Sequence, residues 1–299
     1  MDVNALNTLF AIPGHLHFEA GKGGLAKAVV DNVYATCELY LHGAHVTSFI
    51  PKAGSELLWL SRSARFEKGK AIRGGVPICW PWFGPDPEEK GRTQHGLVRD
   101  REWTLFGTSV NGRGETVMRL GLQDSDATAA LWPHAFLLEY AVTVGEGLTL
   151  ELTTRNEGET PMRISQALHT YLRVDDIEKV LIEGLEGCTY IDKVRLEARD
   201  VQDGPLSITA ETDRIYEDVS PSCLLRDGGR SVTVSKSGSG SSVLWNPWAE
   251  KAGAMADFDD DGYRKMVCIE TANAASDART IAPGQSHTLR QTIALNPAP

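Results

Sequence analysis

The chain has 299 residues, with 30 basic against 40 acidic side chains and a net charge of −10. Hydrophobic residues make up 41% and charged residues 23%, too apolar and too mixed for a disordered chain, and the length is enough to bury a large core. An acidic balance with no Lys/Arg run excludes non-specific attraction to nucleic acid or anionic lipid, since both demand a basic footprint.

The N-terminal MDVNALNTLFAIPGH carries Asp2 and no basic cluster, so it does not read as a secretory leader. No later stretch approaches the roughly 18 apolar residues of a membrane span. Cys37, Cys79, Cys188, Cys223 and Cys268 are odd in number and widely spaced. They predict reduced thiols in a cytoplasmic protein, not a disulfide framework or a zinc finger.

Along the chain, the first unusual segment is 72–84, IRGGVPICWPWFG. Gly74 and Gly75 allow torsions closed to other residues, and Pro77 and Pro81 stiffen the loop. Arg73 beside Trp80, Trp82 and Phe83 suggests an aromatic wall with one cation, suited to a sugar bearing an anionic group. A structural β-arch with buried tryptophans explains the same residues equally well. Residues 94–103, QHGLVRDREW, gather Gln94, His95 and Arg99 around one glycine. A second arginine matters because phosphate wants paired, fork-like donors.

Residues 124–131 and 249–256 could each form a short helix. Otherwise the dominant period is two. Residues 148–154, LTLELTT, place Leu148, Leu150 and Leu152 on one face and Thr149, Glu151 and Thr153 on the other. Residues 136–144, 231–235 and 286–294 behave alike, with Gly-containing turns between. This predicts an antiparallel sandwich or barrel, one large β domain over 1–299. Residues 236–242, KSGSGSS, read as a mobile hairpin tip or loop. DFDDDG at 257–262 starts like a calcium loop but has Cys268 at the twelfth position, where a bidentate Glu belongs, so it reads as a solvated acidic loop. The dispersed histidines offer no metal motif.

Two further segments carry chemistry. In SQALHTYLRV (165–174), Leu168, Leu172 and Val174 face one way, and Ser165, Ala167, His169, Tyr171 and Arg173 the other. In KMVCIETAN (265–273), Met266, Cys268 and Glu270 share a face. A carboxylate beside Met and Cys has its pKa raised by apolar surroundings and becomes a better base near neutral pH. A core histidine and a strand-end salt bridge of Glu270 with Arg264 or Arg279 are the plainer explanations, and sequence spacing does not bring His169 and Glu270 together.

Taken in order, Arg73–Gly84, Gln94–Arg99, Ala167–His169, Glu211–Tyr216 and Val267–Asn273 closely resemble the hexose-6-phosphate mutarotases, that is, glucose-6-phosphate 1-epimerases. These form a branch of the aldose 1-epimerase (galactose mutarotase-like) superfamily, and the resemblance runs from about residue 25 to the C-terminus. It implies an all-β fold, a large antiparallel β-sandwich with a few short helices. It implies interconversion of the α and β anomers of hexose 6-phosphates. His169 corresponds to the catalytic acid and Glu270 to the catalytic base. Arg73, Gln94, Arg99 and Asp213 correspond to substrate-binding positions, the arginines reading phosphate, and His95 to a sugar-hydroxyl contact. Trp245–Trp248 receives no role. The chemistry needs no cofactor and no metal; the expected partner is a small sugar phosphate, with no nucleic acid or membrane, and the expected state is a monomer. The alternatives are an epimerase of neutral aldoses and a non-catalytic carbohydrate-binding sandwich.

Overall fold

The computed structural model describes residues 1–220 and 222–297. Two eight-stranded antiparallel sheets dominate. The first, the supporting sheet, runs Leu181–Glu183, Ser222–Asp227, Arg230–Ser237, Ser286–Leu295, Gly147–Asn156, Phe136–Val144, Thr116–Gln123, Thr104–Val110. The second, the site sheet, runs Ala198–Val201, Thr189–Asp192, Thr212–Tyr216, Ser241–Asn246, Met266–Asn273, Gln166–Leu168, Ile78–Cys79, with Tyr171–Arg173 also paired to Met266–Asn273. A four-stranded meander, Leu16–Ala20 to His45–Pro51, packs into the same core.

The period-two segments form strands because alternation gives each sheet one apolar face to bury. Leu148, Leu150 and Leu152 are fully buried and share a core with Leu168, Leu172, Val267 and Ile269. Each such leucine stabilises the fold by roughly 1.5–3 kcal/mol relative to exposure. The other face of the site sheet carries Ala167, Tyr171, Met266 and Cys268, which pack in separate clusters. That second face bears the candidate site.

Two expected short helices occur, at Asp126–Ala129 and Trp248–Ala254. The former is closed by a reciprocal Ser125–Thr128 cap. A third helix, Val3–Phe10, was not evident from the sequence; the Asp2 side chain caps it by accepting from the Ala5 N–H at 2.8 Å. All five cysteines are free thiols. No helix among the described residues is long and apolar enough to cross a membrane.

Two expectations are corrected. KSGSGSS contains the expected loop, at 238–240, but is not a hairpin tip: Arg230–Ser237 belongs to the supporting sheet and Ser241–Asn246 to the site sheet, so the segment is a corner between sheets. It is pinned, with Lys236 Nζ donating to the Ser241 carbonyl, Ser239 Oγ to the Ala272 carbonyl and Asn273 Nδ2 to the Gly238 carbonyl. Nor is 257–261 simply a solvated acidic loop. Asp259 is 8% exposed and accepts from the backbone N–H groups of Arg62 and Ser63, while Asp257 engages Arg73. The acidic residues staple this loop to the 61–73 segment.

Candidate active site

His169 falls in a break between Gln166–Leu168 and Tyr171–Arg173. Both flanking strands pair with Met266–Asn273, through Leu168↔Thr271 and Tyr171↔Cys268. The register is continuous across the break, so His169 stands opposite Glu270, where facing side chains are neighbours. The break itself is held by the His169 N–H donating to the Pro77 carbonyl and by Thr170 Oγ1 donating to Gln291.

Ladder register explains the rest of the floor. Asp213 pairs with Trp245, Trp245 with Cys268, and Cys268 with Tyr171, one row across the sheet. Lys193 extends it, its backbone N–H donating to the Asp213 carbonyl. The adjacent row on the same face holds Val243, Glu270 and His169. Segments 72–84 and 94–99 close the near wall: Trp80 bridges Gly96, and His95 and Gly84 exchange two hydrogen bonds.

A cavity of about 240 Å³ results, and every residue singled out from the resemblance lines it: Arg73, Gln94, His95, Arg99, His169, Asp213 and Glu270. Among the lining residues missed are Trp245, Lys193 and Lys251, besides the apolar Pro85, Val243 and Met255. The signal for Trp245 is its place opposite Asp213, which appears only once the strands are paired.

The aromatic wall differs from expectation. Trp80 is fully buried in the core, donating to Thr154 Oγ1 at 3.0 Å. Trp82 is also buried, and the guanidinium over its ring belongs to Arg92, not Arg73. For these two tryptophans the structural explanation holds; Phe83 alone of the trio reaches the cavity. The wall is made by Phe83, Trp245 and the histidines. Tyr171 stacks on His169 with ring centres 4.8 Å apart, and Trp245 meets His169 edge-on at 6.0 Å.

His169 Nδ1 lies 3.4 Å from Glu270 Oε1, close but not aligned as a hydrogen bond. Glu270 is 1% exposed and its Oε2 has no protein partner. Its carboxyl is therefore not the strand-end salt bridge weighed above; Arg264 pairs with Glu178 and Arg279 with Asp277. Burial, and then the charge of Asp213, push Glu270 well above the ordinary carboxylate range, with Lys193 opposing. Burial pushes His169 well below the usual imidazole range, and His95, Arg73 and Arg99 push the same way. Both shifts disfavour the doubly charged pair of Glu270 carboxylate and His169 imidazolium.

His95 has φ +64°, and its Nδ1 accepts the Gly84 N–H at 3.2 Å. That acceptor role leaves Nε2 carrying the proton. Burial, with Arg99, Arg73 and Lys193 nearby, pushes His95 down to about 3, so it is a fixed neutral donor near neutral pH. Arg73 donates to Tyr171 Oη at 3.1 Å and with two nitrogens to Asp257 at 3.3 Å. Arg99 donates to the Gln94 carbonyl at 2.9 Å.

The donors of His169, Cys268 and Glu270 lie within 4.8 Å of one another. Burial is the first cause that pushes the Cys268 thiol well above its ordinary value. His169 and Glu270 are both buried at this floor, an arrangement suited to proton transfer.

The sequence matches the aldose 1-epimerase family profile over residues 28–294. A protein of Escherichia coli (strain K12), provisionally named glucose-6-phosphate 1-epimerase, is 37% identical over 268 residues, 89% of this chain and 88% of its own. One of Cenchrus ciliaris, with the same provisional name, is 36% identical over 92% of this chain and 86% of its own. The crystal structure of a protein from Salmonella typhimurium, provisionally described as a mutarotase, superimposes with a TM-score of 0.89 at 33% identity, covering 98% of each chain. The fold is the large antiparallel sandwich of that relative, and the chain belongs to the aldose 1-epimerase family.

Proposed function

We propose that the protein interconverts the α and β anomers of hexose 6-phosphates, chiefly glucose 6-phosphate, by acid–base ring opening and reclosure. Residues 1–299 act as one domain, and the enzyme works as a cytoplasmic monomer. The observation that carries the reading is the buried, facing His169–Glu270 pair on the floor of a cavity lined by two arginines. The provisional names of relatives at 36–37% identity point to the same substrate.

In the charged form of the pair, Glu270 takes the proton from the hydroxyl on C1 while His169 gives one to the ring oxygen. The C1–O5 bond breaks and C1 becomes an aldehyde. Opening discharges both groups, leaving Glu270 protonated and His169 neutral, the state that burial favours. The C1–C2 bond then rotates, the hydroxyl on C5 attacks the other face of the aldehyde, and both protons return. Each transfer contributes about 10²–10⁴ in rate. His95 Nε2–H, Gln94 and Asp213 hold sugar hydroxyls, Trp245 and Phe83 cover the ring, and Arg73 and Arg99 receive the phosphate.

Polarimetry on freshly dissolved α-glucose 6-phosphate tests this. The protein is expected to speed relaxation to the anomeric equilibrium, and His169→Ala to abolish the gain with the fold intact. A second reading, a free aldose as substrate, draws on one feature: the Arg73 charge already has a partner in Asp257. Faster relaxation of free α-glucose alone would select it. No acceleration of either sugar by folded protein would leave a carbohydrate-binding sandwich.

A further inference from the structure

Beside the catalytic cavity lies a second one of about 260 Å³. The two share Arg73 and Arg99 as a common wall. Arg65 and Lys70 come to this side cavity from the loop before Arg73. Neither has a carboxylate partner among the described residues, and the lining holds a single acid, Asp257. Four cations therefore meet one carboxylate, in a protein whose net charge is −10.

The opposite end of the catalytic cavity is balanced. Lys251 pairs with Glu211 at 2.6 Å, and Lys193 stands beside Asp213 in the ladder. Mixed charges suit the hydroxyls of a sugar, whereas a surplus of cations suits a group carrying close to two negative charges. Tyr171 links the side cavity to the chemistry, since it accepts from Arg73 and stacks on His169. Arg73 thus touches both cavities and the ring that packs on His169.

Resting on the substrate reading above, we propose that the phosphate docks in this side cavity, and that Arg65 and Lys70 join Arg73 and Arg99 in selecting phosphorylated over free hexoses. The phosphate competes with Asp257 for the Arg73 fork, and Arg65 and Lys70 supply the charge that tips the competition. Both are exposed, so their contribution is modest and falls with salt.

The test compares wild type with the Arg65→Ala/Lys70→Ala double variant and with Lys193→Ala at low ionic strength. One readout is binding of inorganic phosphate by calorimetry. The other is the ratio of kcat/KM for α-glucose 6-phosphate over free α-glucose by polarimetry. The double variant is expected to weaken phosphate binding and lower the ratio by roughly three- to tenfold each. Wild-type phosphate affinity in the double variant overturns the proposal, as does a larger loss in Lys193→Ala. If wild type shows no preference for the phosphorylated sugar, yet the double variant still loses inorganic phosphate, the side cavity stands as an anion site and the substrate reading fails.

Discussion

Glu270 sits in the interior with one carboxyl oxygen unpartnered, an arrangement that a structural residue would not need. Its effect on stability has a definite sign. A carboxyl raised on folding above its ordinary 4.5 contributes stability fully present below that pH and lost as pH rises toward the folded value. Glu270→Gln removes that loss along with the base. The variant is expected to be inactive, and its Tm should pull ahead of wild type as pH rises above 4.5. A Tm gap that does not change with pH would mean the carboxyl is not held protonated. The pair as a whole needs one proton; burial lowers the step below which it gains a second and raises the step above which it loses the one it has. We therefore expect kcat/KM to be bell-shaped, with the alkaline limb set by Glu270 and the acid limb below the ordinary imidazole value, after allowance for the substrate phosphate's own titration at about pH 6. An acid limb at the ordinary imidazole value would mean that burial does not lower His169.

At the scale of elements, the 72–84 segment is built to bring backbone, not only side chains, to the site. Gly75 has φ +61°, and a Cβ there would lie 2.2 Å from the Val46 carbonyl oxygen. Its own carbonyl accepts the Tyr171 N–H, the strand beside His169. Gly75→Ala is expected to cost at least about 1–3 kcal/mol, read as a lower urea midpoint, and to lower activity through misplaced Tyr171 and Arg73. The acidic 257–261 loop shows why local composition misleads. Its carboxylates look like solvent-facing charge in the sequence, yet Asp259 is folded onto residue 61–63 backbone almost two hundred positions away in sequence. Trp80 and Trp82 show the converse: the rings that look like a ligand wall are core, because both indoles find internal acceptors.

For the whole molecule, the corner at 236–242 passes the chain from supporting sheet to site sheet. Gly238 has φ +70°, and a Cβ there would lie 1.9 Å from the Thr288 carbonyl oxygen. Gly238→Ala is expected to destabilise by about 1–3 kcal/mol from the backbone alone, seen as a lower midpoint of the global unfolding transition. An unchanged midpoint would mean the corner can move aside. The order of strands was not legible in the sequence, because pairings such as Arg230–Ser237 with Ser286–Leu295 are non-local, and the alternation pattern carries no label for its partner.

Residue alternation by itself pointed to the all-β class and, in strands such as Gly147–Asn156, to the side that faces the core; Met266–Asn273, buried along its whole length, carries no such label. The run of motifs from Arg73 to Asn273 determined the family. Tertiary structure alone decided that His169 faces Glu270, that Trp245 stands beside Asp213, and that Arg65 and Lys70 share a cavity with Arg73. Those are facts of register and loop packing. Hydrogen bonds between strands distant in the chain set them, and burial, which no local window of sequence measures, then sets the protonation of the groups they bring together.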